Sequence, residues 1–184
     1  MTFHLCVIES FERQKLLACV LNAEESAGDA EAHEIRRNIE RLVRDWEQRA
    51  APIVYITHST LRASTRGANR APPAPIALRA GDLVFETRQH SILRDVPFRC
   101  FFDDVGAPPL VMVGSDLEGL IVVTAFDAFS SRHSIAIVRN AVCLSARPHP
   151  RAPPDKPALL SVIARFADVV GVEELDQQGG EWAR

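Results

Sequence analysis

The sequence has no apolar run approaching the roughly 20 residues that cross a bilayer, and its start, MTFHLCVIES, lacks the basic opening and cleavage pattern of a secretory leader. A cytoplasmic protein that does not engage membranes is therefore expected. Cysteine is sparse: Cys6, Cys19, Cys100 and Cys143 are scattered without a C-x-x-C pair, which points to reduced thiols rather than to disulfides or a zinc site. Charge of one sign is not in excess either. A net charge of −3 gives no general attraction to nucleic acid or to anionic lipid. What remains is an ordinary globular composition, 47% apolar and 24% charged over 184 residues. One domain of that length, 1–184, buries roughly two-thirds of its unfolded surface and needs no staples.

Along the chain, apolar stretches of strand length alternate with helical patterns. Phe3 to Ile8 is the first strand candidate, with a helix possible over Phe11 to Ala23. From Ala32 to Ala50 apolar residues recur at Ile35, Ile39, Leu42, Val43 and Trp46, three and four apart, so one face of a helix packs on a sheet. Pro52 to Thr57 is apolar throughout, the signature of a parallel strand covered on both faces. Further strands are expected at Asp82 to Glu86, Leu110 to Gly114 and Ser134 to Val138, and helices at Gly119 to Phe129 and Lys156 to Val169. This alternation predicts an α/β fold, a doubly wound parallel sheet with right-handed crossovers. Residues 59–80 carry Arg62, Arg66, Arg70 and Arg79, no acid, and the cluster Pro72-Pro73-Ala74-Pro75. Such a loop is either a cationic lid or a solvated excursion. The tail 176–184, with Gly179-Gly180 and Trp182, is either frayed or anchored by its indole.

The segment Leu110 to Ala128, LVMVGSDLEGLIVVTAFDA, reads as strand, tight turn and helix, with Gly114 at the turn and Ser115 with Glu118 as a capping box. Strand, turn and helix is where α/β enzymes place a nucleophile. The pattern resembles the isochorismatase-like cysteine hydrolases, whose fourth strand leads into a glycine, five further residues, the nucleophilic cysteine and a T-A-x-D-A helix. Thr124, Ala125, Asp127 and Ala128 fit that register, and the cysteine's place falls on Leu120. Leucine has no nucleophilic atom.

Two other stretches carry the resemblance. The family's first strand ends in an aspartate; here Leu5-Cys6-Val7-Ile8 is followed by Glu9, one methylene longer. In a stretch of the form G-D-x-V-x-x-K-x-x-x-S, Gly81, Asp82, Val84 and Ser91 match, while the lysine falls on Thr87, leaving no ammonium to favour a thiolate. All three positions of the implied triad, Glu9, Thr87 and Leu120, thus depart from the pattern. The resemblance runs from about His4 to Val170 and implies a three-layer α/β/α Rossmann-like fold of strand order 3-2-1-4-5-6, with ligands met at the carboxyl ends of the strands. It further implies an oxyanion hole of backbone N–H groups over Gly114 to Leu120, including Gly119, and a cis peptide near that turn.

The remaining candidates are His58, Ser115, Gly119 and Cys143, of which three have a structural reading: a carbonyl partner for His58, a helix cap for Ser115, packing for Cys143. Some amidases of the family hold zinc through Asp, His and His just past the second strand, but here only His58 is present and His90 lies on another element, so neither metal nor cofactor is expected. Two functions compete. One is a family member without the triad, non-catalytic, binding a small molecule or acting as a subunit of a homo-oligomer; the other is a hydrolase of amide or ester bonds with a rearranged site using Glu9, His58 or Cys143. A nucleic-acid role is not expected, since the arginine loop lacks interleaved aromatics.

Overall fold

The computed structural model describes residues 15–21, 30–58, 80–145 and 155–177. Six strands form one parallel sheet: β1 (Leu16–Leu21), β2 (Ile53–His58), β3 (Leu83–Thr87), β4 (Leu110–Gly114), β5 (Ile135–Val142) and β6 (Asp168–Val170), in the order β3-β2-β1-β4-β5-β6. The expected doubly wound order is the one observed.

Strand β1 corrects the expectation for the start of the chain. Leu16–Leu21, LLACVL, is a strand and not part of a helix over Phe11 to Ala23, and it occupies the place between β2 and β4 that Phe3 to Ile8 was expected to fill. Phe3 to Ile8 and Glu9 lie outside the described residues. The reason for the difference is physical. A central parallel strand buries both faces, so its residues are continuously apolar and carry no period that separates a strand from a buried helix. In β1 all six residues are buried, with Leu16, Ala18 and Val20 in one apolar layer and Leu17, Cys19 and Leu21 in the other.

Helix α1 (Ala30–Gln48) covers one face of the sheet with Ile35, Ile39, Leu42, Val43 and Trp46, the stripe its spacing predicts. The short α5 (Val172–Gln177) adds Val172 and Leu175 to the same layer. The opposite face is covered by α2 (Val96–Asp104), α3 (Val122–Ser130) and α4 (Lys156–Ile163), through Phe98, Phe102, Ala125, Ala128 and Ile163 among others. The sequence reading has no α2. Its nine residues, VPFRCFFDD, are rich in types of middling helix propensity, and the helix rests on the cap Asp95, which accepts from the Phe98 N–H, and on burial of Phe98 and Phe102 one turn apart. Helix α4 stops at Ile163, short of the expected Val169, because the chain turns there into the three-residue strand β6. No helix among the described residues is long and apolar enough to cross a membrane.

Candidate functional site

In a sheet of this order the strand sequence reverses between β1 and β4, and the crevice at the carboxyl ends of these strands is where such folds meet ligands. The chain leaves β4 at Gly114, whose φ is +109° and whose missing Cβ would collide with the Val20 carbonyl of β1. Only glycine fits. Ser115 N–H donates to that same carbonyl at 3.1 Å, and Asp116 then enters the left-handed region with φ +69°. A π-helical turn, Leu117–Ile121, follows and leads into α3.

The helix cap differs from the expected Ser115 and Glu118 box. The Asp116 carboxylate caps instead, accepting the Leu120 N–H at 3.2 Å; the Ser115 hydroxyl is buried without a hydrogen-bond partner among the described residues, and Glu118 accepts the Ser145 N–H at 2.9 and 3.0 Å. The left-handed turn at Asp116 advances the cap by one residue, a shift that the S-x-x-E spacing cannot reveal. Gly119 has a role in this, since a Cβ there would run into the Asp116 carboxylate.

Four of the turn's backbone donors are also occupied. Leu117 N–H reaches the Cys143 carbonyl at 3.0 Å, Gly119 and Ile121 N–H reach the Asp116 carbonyl at 3.2 and 3.1 Å, and Leu120 N–H is held by the Asp116 side chain. The implied oxyanion hole would draw on these groups, and here they are bonded within the chain. No peptide bond is cis among the described residues, so the implied cis bond at the turn is absent; the left-handed Asp116 makes the reversal.

Leu120 is fully buried in the apolar layer on the α3 side of the sheet, together with Val20, Ile56, Ile92 and Ile121. Thr87 ends β3, is buried, and accepts the Gln89 N–H on its hydroxyl at 3.1 Å, a local turn cap. Both stand at the carboxyl edge. Glu9 lies outside the described residues; Leu21 ends β1, and the next residue in sequence, Asn22, also lies outside them.

The matched residues do structural work. The Thr124 hydroxyl accepts the Ile92 N–H at 3.1 Å, Ala125 and Ala128 are buried under the sheet, and Asp127 takes two hydrogen bonds from Arg94 at 2.6 and 2.7 Å. The Arg94 hydrogen bonds hold the Asp127 carboxyl below the ordinary range against the opposing effect of burial. Gly81 adopts φ +108°, and Ser91 is buried. These contacts fasten the segment after β3 to α3.

His58, the last residue of β2, is paired in register with Thr87 and points its Nδ1 at Asp116 Oδ2, 2.8 Å away. Since β1 lies between β2 and β4, this bond spans the carboxyl end of β1. The His58 side chain is 2% exposed, its Nε2 has no hydrogen-bond partner among the described residues, and the His90 ring stands edge-on at 6.4 Å. The sequence reading singles out His58 but not Asp116, because a contact between residues 58 positions apart leaves no spacing signature.

Cys143 follows β5, with its thiol 3.9 Å from the Gly114 carbonyl, and packs against the layer on the α1 side, not the layer that holds Leu120. Cys19 is buried in β1, where desolvation pushes its thiol well above the ordinary range; Cys100 is exposed; Cys6 lies outside the described residues. Among the described residues no group of three or more His, Cys, Asp or Glu side chains is placed to hold a metal ion. The loop 59–80, Ala80 apart, and the tail beyond Gln177 also lie outside them.

Solved structures give the architecture a context. The chain matches an isochorismatase from Pseudomonas putida (TM-score 0.71, 17% identity, covering 88% of this chain and 90% of that one). It also matches a cysteine hydrolase from Pseudomonas syringae pv. phaseolicola (0.73, 13%, 92% and 94%). A third match is N-carbamoylsarcosine amidase from Thermoplasma acidophilum (0.64, 20%, 87% and 97%). No family model and no curated protein sequence matches the chain. The protein has the isochorismatase-like hydrolase fold, and what it does with that fold is decided by its site.

Proposed function

We propose that this chain of isochorismatase-like fold works without the thiol chemistry of that fold, as a non-catalytic protein that binds a small molecule or serves as a subunit of a homo-oligomer. The observation that carries the reading is Leu120, a fully buried apolar side chain at the position of the nucleophilic cysteine. A nucleophile needs a deprotonatable atom, a group that favours its anion and access for the substrate. Leu120 supplies no such atom, Thr87 replaces the cation, and the Leu117, Gly119 and Leu120 N–H groups of the turn are bonded internally.

A second reading, hydrolysis of amide or ester bonds by a rearranged site, is favoured by one observation: the carboxylate of Asp116 orients His58 in the manner of a general base and its positioning partner. Turnover decides between them. The purified chain is assayed against isochorismate and a panel of simple amides and esters, before and after treatment with iodoacetamide. Rates at background in both states support the binding reading. Hydrolysis well above background overturns it; if iodoacetamide and Cys143→Ala both abolish that hydrolysis, a relocated cysteine carries it, and if only His58→Gln does, the histidine does.

A further inference from the structure

We infer, resting on the binding reading above, that His58 Nε2 and the Ser115 hydroxyl form the polar anchor of the site, and that it selects neutral ligands presenting an N–H or O–H donor over carboxylates. The geometry begins with Asp116. An ionised carboxylate only accepts hydrogen bonds, so the 2.8 Å contact requires Nδ1 to carry the hydrogen, and in the neutral ring Nε2 is then left as a bare acceptor.

Three features hold that arrangement. Asp116 is fixed by its left-handed backbone, by its bond to the Leu120 N–H, and by the room Gly119 leaves for its carboxylate. A non-glycine residue kept in the left-handed region costs free energy, and such positions cluster where a site must be held in one geometry. His58 and Asp116 meet above the end of β1, at the reversal of the strand order.

Among the described residues, His58 Nε2 and Ser115 Oγ are buried polar atoms without hydrogen-bond partners. Buried polar groups are rarely left unbonded, and each is an invitation to a ligand or a water that supplies the missing bond. An N–H or O–H on the ligand satisfies Nε2, and the serine hydroxyl turns to donate or accept as the ligand requires. A carboxylate offers Nε2 only lone pairs and meets the Asp116 charge directly behind the ring. Glu118, although tied to the Ser145 N–H, adds a second acid to the same turn.

The test is histidine ¹⁵N NMR on the parent chain, with benzamide, benzyl alcohol and benzoate as probes. His58 should rest as the Nδ1–H tautomer, benzamide and benzyl alcohol should shift its Nε2 resonance in a saturable way, and benzoate should bind at least tenfold more weakly than benzamide. The shift in melting temperature that benzamide causes should vanish in His58→Phe; the NMR arm needs no variant and decides the matter should that variant fail to fold. A resting Nε2–H tautomer or imidazolium, no movement of Nε2 with either neutral probe, or benzoate binding as tightly as benzamide overturns the inference while leaving the non-catalytic reading intact. Benzoate accumulating from benzamide in the NMR tube does the reverse: it overturns the non-catalytic reading and supports a site that engages amides.

Discussion

Replacing Asp116 separates the work of its backbone from that of its side chain. Asp116→Ala removes the acceptor for the Leu120 N–H, a cap worth about 1 kcal/mol. It also strands Nδ1 of a histidine that is 2% exposed, at a cost of about 1–3 kcal/mol. The alanine must in addition hold φ +69°, where a Cβ without a local hydrogen bond costs about 1 kcal/mol more. These effects share one side chain and do not add strictly, so a total of about 3–4 kcal/mol is expected, a fall in Tm of about 10 °C for a chain of this size. Asp116→Gly abolishes the same hydrogen bonds but accepts the left-handed backbone freely, and should recover about 1 kcal/mol of that loss. Asp116→Asn keeps a carbonyl acceptor and a residue tolerant of that backbone, and should lose about 1 kcal/mol or less. The assay is urea denaturation with a common slope. The order Asn, Gly, Ala from most to least stable is the signature; an Asp116→Ala chain within about 0.5 kcal/mol of the parent would refute the reasoning.

The thiols should react in the order of their exposure: iodoacetamide with peptide mapping should modify Cys100 quickly at neutral pH and Cys19 only on unfolding, since burial raises the Cys19 thiol. The folded pKa of Asp127 lies below its ordinary 3.8, so its contribution to stability is complete above that value and lost as pH falls through the lower folded value; acid titration should show this loss in the parent and a smaller one in Asp127→Asn. Because Arg94 is largely exposed, the difference should be modest, about 1 kcal/mol or less. Restoring the family pattern with Leu120→Cys and Thr87→Lys, together with Asn22→Asp, the residue that follows Leu21 in sequence, should bring little hydrolysis, because the groups around Leu120 are bonded elsewhere. Amide and ester assays of a variant that still melts cooperatively check it, and a gain of several orders of magnitude would show the scaffold intact apart from three side chains.

Much of the scaffold was legible in the sequence because its residues obey local rules. The stripe from Ile35 to Trp46 and the run Leu110 to Gly114 appear where period and composition place them. Thr124, Asp127, Gly81 and Ser91 matched the family pattern, and they prove to be joints of the fold, which helps explain why the fold could be read while the chemistry could not. Strand β1 is not legible in the sequence because LLACVL has no period and another apolar segment, Phe3 to Ile8, precedes it. The cap moved from Ser115 to Asp116 on one backbone angle. The pairing of His58 with Asp116 depends on the two strand ends converging over β1, a relation that exists only in the folded chain.

The central claim, that the nucleophile's seat is part of the apolar core and no longer activates a thiol, is tested most directly by placing one there. In a Cys100→Ser background, Leu120→Cys carries its sulfur at a fully buried position beside the Asp116 carboxylate and without the family's lysine, conditions that disfavour a thiolate. The measurement is the rate of alkylation of residue 120 by iodoacetamide as a function of pH, followed by peptide mapping on a chain shown to be folded. The account predicts a thiol that reacts no faster than Cys19 at neutral pH and only on unfolding. Rapid alkylation at neutral pH, with the plateau of a preformed thiolate, would contradict it.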